Sequence, residues 1–148
     1  MKRLLIGLGV VALVVIALVG GLAGFAFLQA KTFGPAIENK VDEFYDHARA
    51  QNHKTIYYEM ANHDFRSVAS YDDFEQFMRK IYGRLGDVKR REKGPWRLQY
   101  LAGRSYYQIQ YQTTREHGDA RELFTFQKSD GGWLLQEYKI DSLRLLLE

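Results

Sequence analysis

The sequence has no cysteine. That absence excludes disulfides, thiolate nucleophiles and cysteine zinc sites, and it excludes a lipoprotein anchor, which needs a cysteine to carry the lipid. A strong excess of one charge is also missing. Of 21 basic residues, Lys2 and Arg3 precede an apolar run, and the rest exceed the 18 acidic residues by one. A nearly neutral domain lacks the basic footprint of a nucleic-acid binder. No Gly-rich phosphate loop, GxSxG elbow or carboxylate pair at a telling spacing is present. The four histidines, His47, His53, His63 and His117, lack the spacing of a zinc motif. No metal, cofactor or catalytic set is therefore expected.

What the sequence does have is one long hydrophobic segment. Leu4 to Leu28 is apolar throughout. As a helix rising about 1.5 Å per residue it spans roughly 37 Å, more than the roughly 30 Å hydrocarbon core of a bilayer. The apolar part of a cleaved signal peptide is shorter and ends in a small-x-small site, whereas Leu28 occupies the position where a small residue is needed. Residues 1–30 therefore read as an uncleaved transmembrane anchor, and 31–148 as an extracytoplasmic domain. Lys2 and Arg3 favour a cytoplasmic N-terminus, so the expectation is a single-pass protein of the bacterial inner membrane with its domain in the periplasm or outside. Gly20 and Gly24 form a GxxxG pair, and Ala17 with Gly21 a second small pair. Such a face permits close helix packing and a homodimer, although glycine is common in membrane helices in any case.

Beyond Pro35 the apolar positions Ile37, Val41, Phe44, Tyr45 and Ala48 follow a helical period, ending near Ala50. A short helix over Lys54 to Met60 comes next. Ala61 to Tyr71 reads as a loop with Phe65 and Val68 tucked inward. Ser70 and Asp73 resemble a capping box, opening a helix over Phe74, Phe77, Met78, Ile81, Tyr82 and Leu85 that Gly86 ends. From Val88 the period changes to two. Lys93-Gly94-Pro95 interrupts the first strand, as proline does at a bulge or edge. Tyr107, Ile109, Tyr111 and Thr113 mark a half-buried strand. His117-Gly118-Asp119 and Asp130-Gly131-Gly132 supply turns, and Trp133 to Asp141 is the last strand. The result is an α+β domain of about three helices on an antiparallel sheet of about four strands, with an apolar tail at Leu143, Leu145, Leu146 and Leu147.

This ordered set resembles the nuclear transport factor 2-like (cystatin-like α+β) superfamily, and within it small bacterial domains of unknown function. The resemblance is carried by Ala61-Asn62-His63-Asp64-Phe65, by Arg84-Leu85-Gly86-Asp87-Val88, and by the ending Phe124-x-Phe126-x4-Gly131-Gly132-Trp133-x-Leu135-x2-Tyr138-x-Ile140. It implies a curved sheet wrapped around helices into a cone with an open mouth. It implies no single activity, because enzymes, ligand binders and assembly subunits share the fold.

Three readings of function remain at this stage. The first is a non-enzymatic, membrane-anchored envelope module that binds a protein partner, with the lipid bilayer as its other contact. The second is a small-molecule binder with a tyrosine-lined cavity, since tyrosine joins an apolar ring to one polar tip. Tyr57, Tyr58, Tyr100, Tyr107, Tyr111 and Tyr138 are the candidates, and core packing is their alternative role. The third is a ketosteroid isomerase-like enzyme with His63 or Asp64 as base, against which stands the ordinary use of Asn62-His63-Asp64 as turn formers. The candidate ligand residues are thus Tyr57, His63, Asp64, Tyr107 and Tyr111. The basic run Lys89, Arg90, Arg91, Lys93 and Arg97 alternates across a strand, so it does not form one patch.

Overall fold

The computed structural model describes residues 31–146. The proposed membrane helix and its small-residue pairs lie outside the described residues. Among those described, no helix is long and apolar enough to cross a membrane. The folded domain is the compact unit Ala36–Glu148.

Helix α1 (31–49) buries Ile37, Val41, Phe44, Tyr45 and Ala48, the stripe its periodicity requires. Helix α2 (His53–Thr55) runs into a π-helical turn (Ile56–Met60). Helix α3 (His63–Val68) follows, then α4 (Tyr71–Leu85). The Ser70 hydroxyl accepts from the Asp73 amide, and the Asp73 carboxylate accepts from the Ser70 amide. This reciprocal cap satisfies two amides that a helix start leaves orphaned. Gly86 ends α4 at φ +71°, a conformation that glycine adopts without steric cost.

Strands β1 (Val88–Leu101), β2 (Arg104–Arg115), β3 (Gly118–Ser129) and β4 (Gly132–Asp141) form an antiparallel meander in the order β1-β2-β3-β4. The domain is therefore α+β with a four-stranded sheet, as read from the sequence. Helical segments number five among the described residues, more than the three or so expected. The extra ones are α3, where the sequence reads as a loop, and the short C-terminal α5 (Leu143–Leu146).

One sheet face carries the core: Tyr107, Ile109, Tyr111, Phe124, Phe126 and Leu135 are all buried. Phe44 of α1 packs on it, 5.1 Å from Phe124 and 4.7 Å from Tyr138 between ring centroids. Burial of this aromatic layer is the main force holding helices to sheet.

Lys93-Gly94-Pro95 does not break β1. Pairing passes from Lys93↔Tyr111 to Trp96↔Ile109, so one extra residue is accommodated as a bulge. A Cβ on Gly94 would stand 3.1 Å from the Gln110 carbonyl oxygen. The basic run is divided as strand alternation dictates. Arg91 and Lys93 reach Asp42 and Glu38 of α1, while Arg90 pairs with Glu92. The Arg91 guanidinium also lies over the rings of Tyr45 and Tyr111, a cation–π arrangement.

Candidate binding cleft

A six-residue helix is too short to persist alone, so α3 depends on side chains that fasten it. Asn62 is the main one. Its Oδ1 accepts from the Phe65 amide at 2.9 Å, capping α3. Its Nδ2 donates to Oε1 of Gln127 and Oε1 of Gln136, each at 2.6 Å. Its backbone N–H donates to the Leu135 carbonyl at 2.9 Å. Gln136 is available because β4 bulges there: Phe126 pairs with Leu135, but Thr125 pairs with Glu137. Further along, Arg66 Nη1 donates to the Ala61 carbonyl at 2.5 Å, and the Tyr57 hydroxyl donates to the Ala69 carbonyl at 2.8 Å.

Held in this way, α3 and the first turns of α4 form one wall of a cleft of about 820 Å³. The other wall draws on all four strands, with Leu101, Gln108, Thr125 and Glu137 among its residues. Gln108 and Thr125 lie in the opposite phase to buried Ile109 and Phe124, so this wall belongs mainly to the sheet face away from the core. Phe65, Phe74, Phe77 and Tyr138 supply the aromatic surface. Apolar side chains also stand at the rim: Val68 is 87% exposed, Leu101 68% and Phe77 39%. Val68 thus points to solvent, not inward as its sequence context suggested. A size of several hundred Å³, an aromatic wall and scattered amides are the usual features of a binding site.

The five candidate ligand residues do not come together. Asp64 lines the cleft and lies 3.9 Å from Arg104 at the β1–β2 turn. His63 is beside it, 3.8 Å from Asp64, but its side chain is 88% exposed. Tyr57, Tyr107 and Tyr111 are buried in the interior. Tyr57 packs edge-on to Tyr71, and Tyr107 stacks on Trp96. They support the domain and do not face the cleft. Among the tyrosines only Tyr106 and Tyr138 line it.

Behind Tyr138 lies a polar cluster that the residue-type patterns did not reveal. Glu122 and Thr113 are fully buried, and Arg115 almost so. Glu122 Oε1 accepts from Thr113 Oγ1 at 2.8 Å and from Arg115 Nε at 3.0 Å, and Arg115 Nη2 pairs with it at 2.9 Å. Its Oε2 accepts from the hydroxyls of Tyr45 at 2.9 Å and Tyr138 at 2.8 Å. Arg115 Nη1 donates to the Gly86 carbonyl at 3.0 Å. Burial, reinforced by the negative charge of Glu122, pushes both tyrosine hydroxyls well above their ordinary pKa. They stay neutral donors at any physiological pH. A signal for this cluster did exist: Glu122 shares strand phase with Ala120, Phe124 and Phe126, and Arg115 shares it with Tyr111 and Thr113.

Among the described residues no group of three or more His, Asp or Glu side chains gathers as a metal site would need. No family model matches the chain, and no curated protein matches it in sequence. The fold and the cleft define it as an α+β domain with an open, aromatic-walled cleft.

Proposed function

We propose that this protein is a non-enzymatic binding module of the bacterial cell envelope, held at the inner membrane by residues 1–30, with its nuclear transport factor 2-like domain outside the cytoplasm. In this reading the cleft receives part of a partner protein. The observation that carries it is the cleft rim, where Val68, Leu101 and Phe77 present apolar surface to solvent around a volume of about 820 Å³. Exposed apolar side chains gathered at a concave site favour association. The hydrophobicity of Leu4 to Leu28 supports the tether.

Site-specific photo-crosslinking in intact membranes tests the proposal. A crosslinker at Val68 or Leu101 captures the same partner reproducibly, and one at exposed Arg121 on β3 does not. Equal capture from all three positions, or none from the rim, refutes it. A small amphipathic ligand is the second reading, favoured by the cleft volume, which lies within the range of small-molecule sites. It predicts a low-mass molecule retained through purification and lost on Phe77→Asp.

A further inference from the structure

We propose that the cleft takes an extended segment of the partner, rich in basic and apolar residues, which adds to the sheet as a fifth strand along β4. This rests on the binding reading above and names the class of partner.

The free edge of β4 already accepts a neighbour at one point. Ala61 forms a parallel bridge to Leu135, and the Asn62 amide donates to the Leu135 carbonyl at 2.9 Å. Helix α3 then begins at His63, so this pairing stops after two residues. Among the described residues, no other backbone hydrogen bond reaches β4 from outside the sheet. The next four residues, Gln136, Glu137, Tyr138 and Lys139, all line the cleft. Past the bulge at Gln136, Glu137 and Lys139 share one face with Thr125 and Leu123 while Tyr138 shares the core face with Phe124, so a cleft lined by all of them reaches both sides of β4 and runs along its edge. An edge presents unpaired amides and carbonyls at strand spacing, the template for strand addition.

Side chains around that edge select the guest. Phe74, Phe77 and Tyr138 offer apolar contact. Asp64, Asp73 and Glu137 are acidic; among the described lining residues Lys139 is the one cation, 2.6 Å from Glu137, and with Arg104 at 3.9 Å from Asp64 the acidic groups still outnumber the basic by three to two. The field therefore favours a basic segment and opposes an acidic one. A second copy of the chain is a poor guest. Its own basic, strand-forming segment is β1, which carries a bulge at Gly94-Pro95 and whose Arg91 and Lys93 are engaged by α1.

The test uses the full chain in a non-ionic detergent, with protein-free micelles as the blank, and fluorescently labelled octapeptides of alternating residues. A lysine–valine peptide binds at least about tenfold more tightly than a glutamate–valine peptide. N-methylation of one alternate set of its amides abolishes binding, while methylation of the other set does not, because a strand bonds through one edge at a time. The double variant Asp64→Lys/Glu137→Lys, altered only at partly exposed positions, reverses the charge preference. Equal binding of both peptides, or binding that survives methylation of either set, overturns the proposal. Reproducible crosslinking from Val68 combined with either of those results leaves the binding reading standing and rejects the strand-adding segment alone.

Discussion

The Tyr138 hydroxyl donates to Glu122 at 2.8 Å, while the Tyr138 ring forms part of the cleft wall. A buried charge therefore fixes the orientation of a surface that a guest would touch. The arrangement is costly to interrupt. Two ions withdrawn from water are sustained only by each other and by their hydrogen bonds, and here every carboxylate oxygen is used.

Glu122→Leu leaves Arg115 buried without a counter-charge and the hydroxyls of Tyr45 and Tyr138 without an acceptor, while Thr113 keeps the Ala120 carbonyl at 3.3 Å. We expect a loss of about 3–5 kcal/mol in unfolding free energy, read from urea midpoints. The double variant Glu122→Leu/Arg115→Met removes both charges and recovers most of that loss. Failure of the second change to restore stability would show that the cluster acts through something other than charge pairing.

Asn62 allows two of its roles to be separated. Asn62→Asp keeps the oxygen that caps α3 but loses the donor to Gln127 and Gln136. Asn62→Ala loses both, at a cost of roughly 1–3 kcal/mol. Hydrogen exchange at the Phe65 amide reads the difference: protection persists in Asn62→Asp and disappears in Asn62→Ala.

Acid acts through His53. The side chain is buried, its Nδ1 has no hydrogen-bond partner among the described residues, and Glu75 lies 4.0 Å away. Burial lowers its pKa below 6.5; the Glu75 charge opposes this and Arg79 adds to it. The unfolded chain therefore takes up a proton that the folded chain resists. Stability is complete above about pH 6.5 and falls as the pH drops below it. His53→Gln flattens the stability profile below about pH 6.5, measured by denaturation at each pH.

Alkali acts in the opposite sense through the tyrosines. Burial raises the Tyr111 hydroxyl to about 12, partly opposed by Arg91, and raises Tyr45 and Tyr138 well above 10.0. The unfolded chain loses these protons first, so stability holds up to about pH 10 and declines above it. The ultraviolet absorbance of tyrosinate reports the outcome: for these side chains it rises together with unfolding, not before it.

Gly86→Ala tests the turn beneath the cluster. The backbone sits at φ +71°, and an added Cβ would lie 2.4 Å from Glu116 Oε2 and 2.7 Å from Glu116 Cβ. Backbone strain and collision combine, and a loss of at least about 1 kcal/mol is expected. Glu116→Ala in the same background recovers only part of it, because the Cβ contact remains.

Much of the scaffold was legible in the sequence, for physical reasons. Ser70 and Asp73 read as a cap because that spacing brings each side chain onto the other's amide. Tyr107, Ile109, Tyr111 and Thr113 read as one buried face because a strand alternates. Helix α3 is not legible: Asn62-His63-Asp64 has turn composition, and the bonds from Asn62 to Gln127 and Gln136 that help fasten the helix span more than 60 residues of sequence. Of the five candidate ligand residues, Asp64 lines the cleft and Tyr57, Tyr107 and Tyr111 lie in the interior. Strand phase separates Tyr107 from Tyr106, but a tyrosine serves a core and a pocket equally well, so phase alone does not say that the cleft lies on the Tyr106 side. Glu122 was passed over because charge suggests solvent, even where strand phase assigns the position to the interior.

The bulge at Gly94-Pro95 has a consequence for assembly. It disrupts one margin of the sheet, where proline offers no amide and ion-paired lysine and arginine crowd the strand. Among the described residues, the opposite margin, β4, carries no such obstacle. A body with one open side can at most close into a pair and cannot be a link in a filament, so crowding many copies together does not by itself seed a fibre.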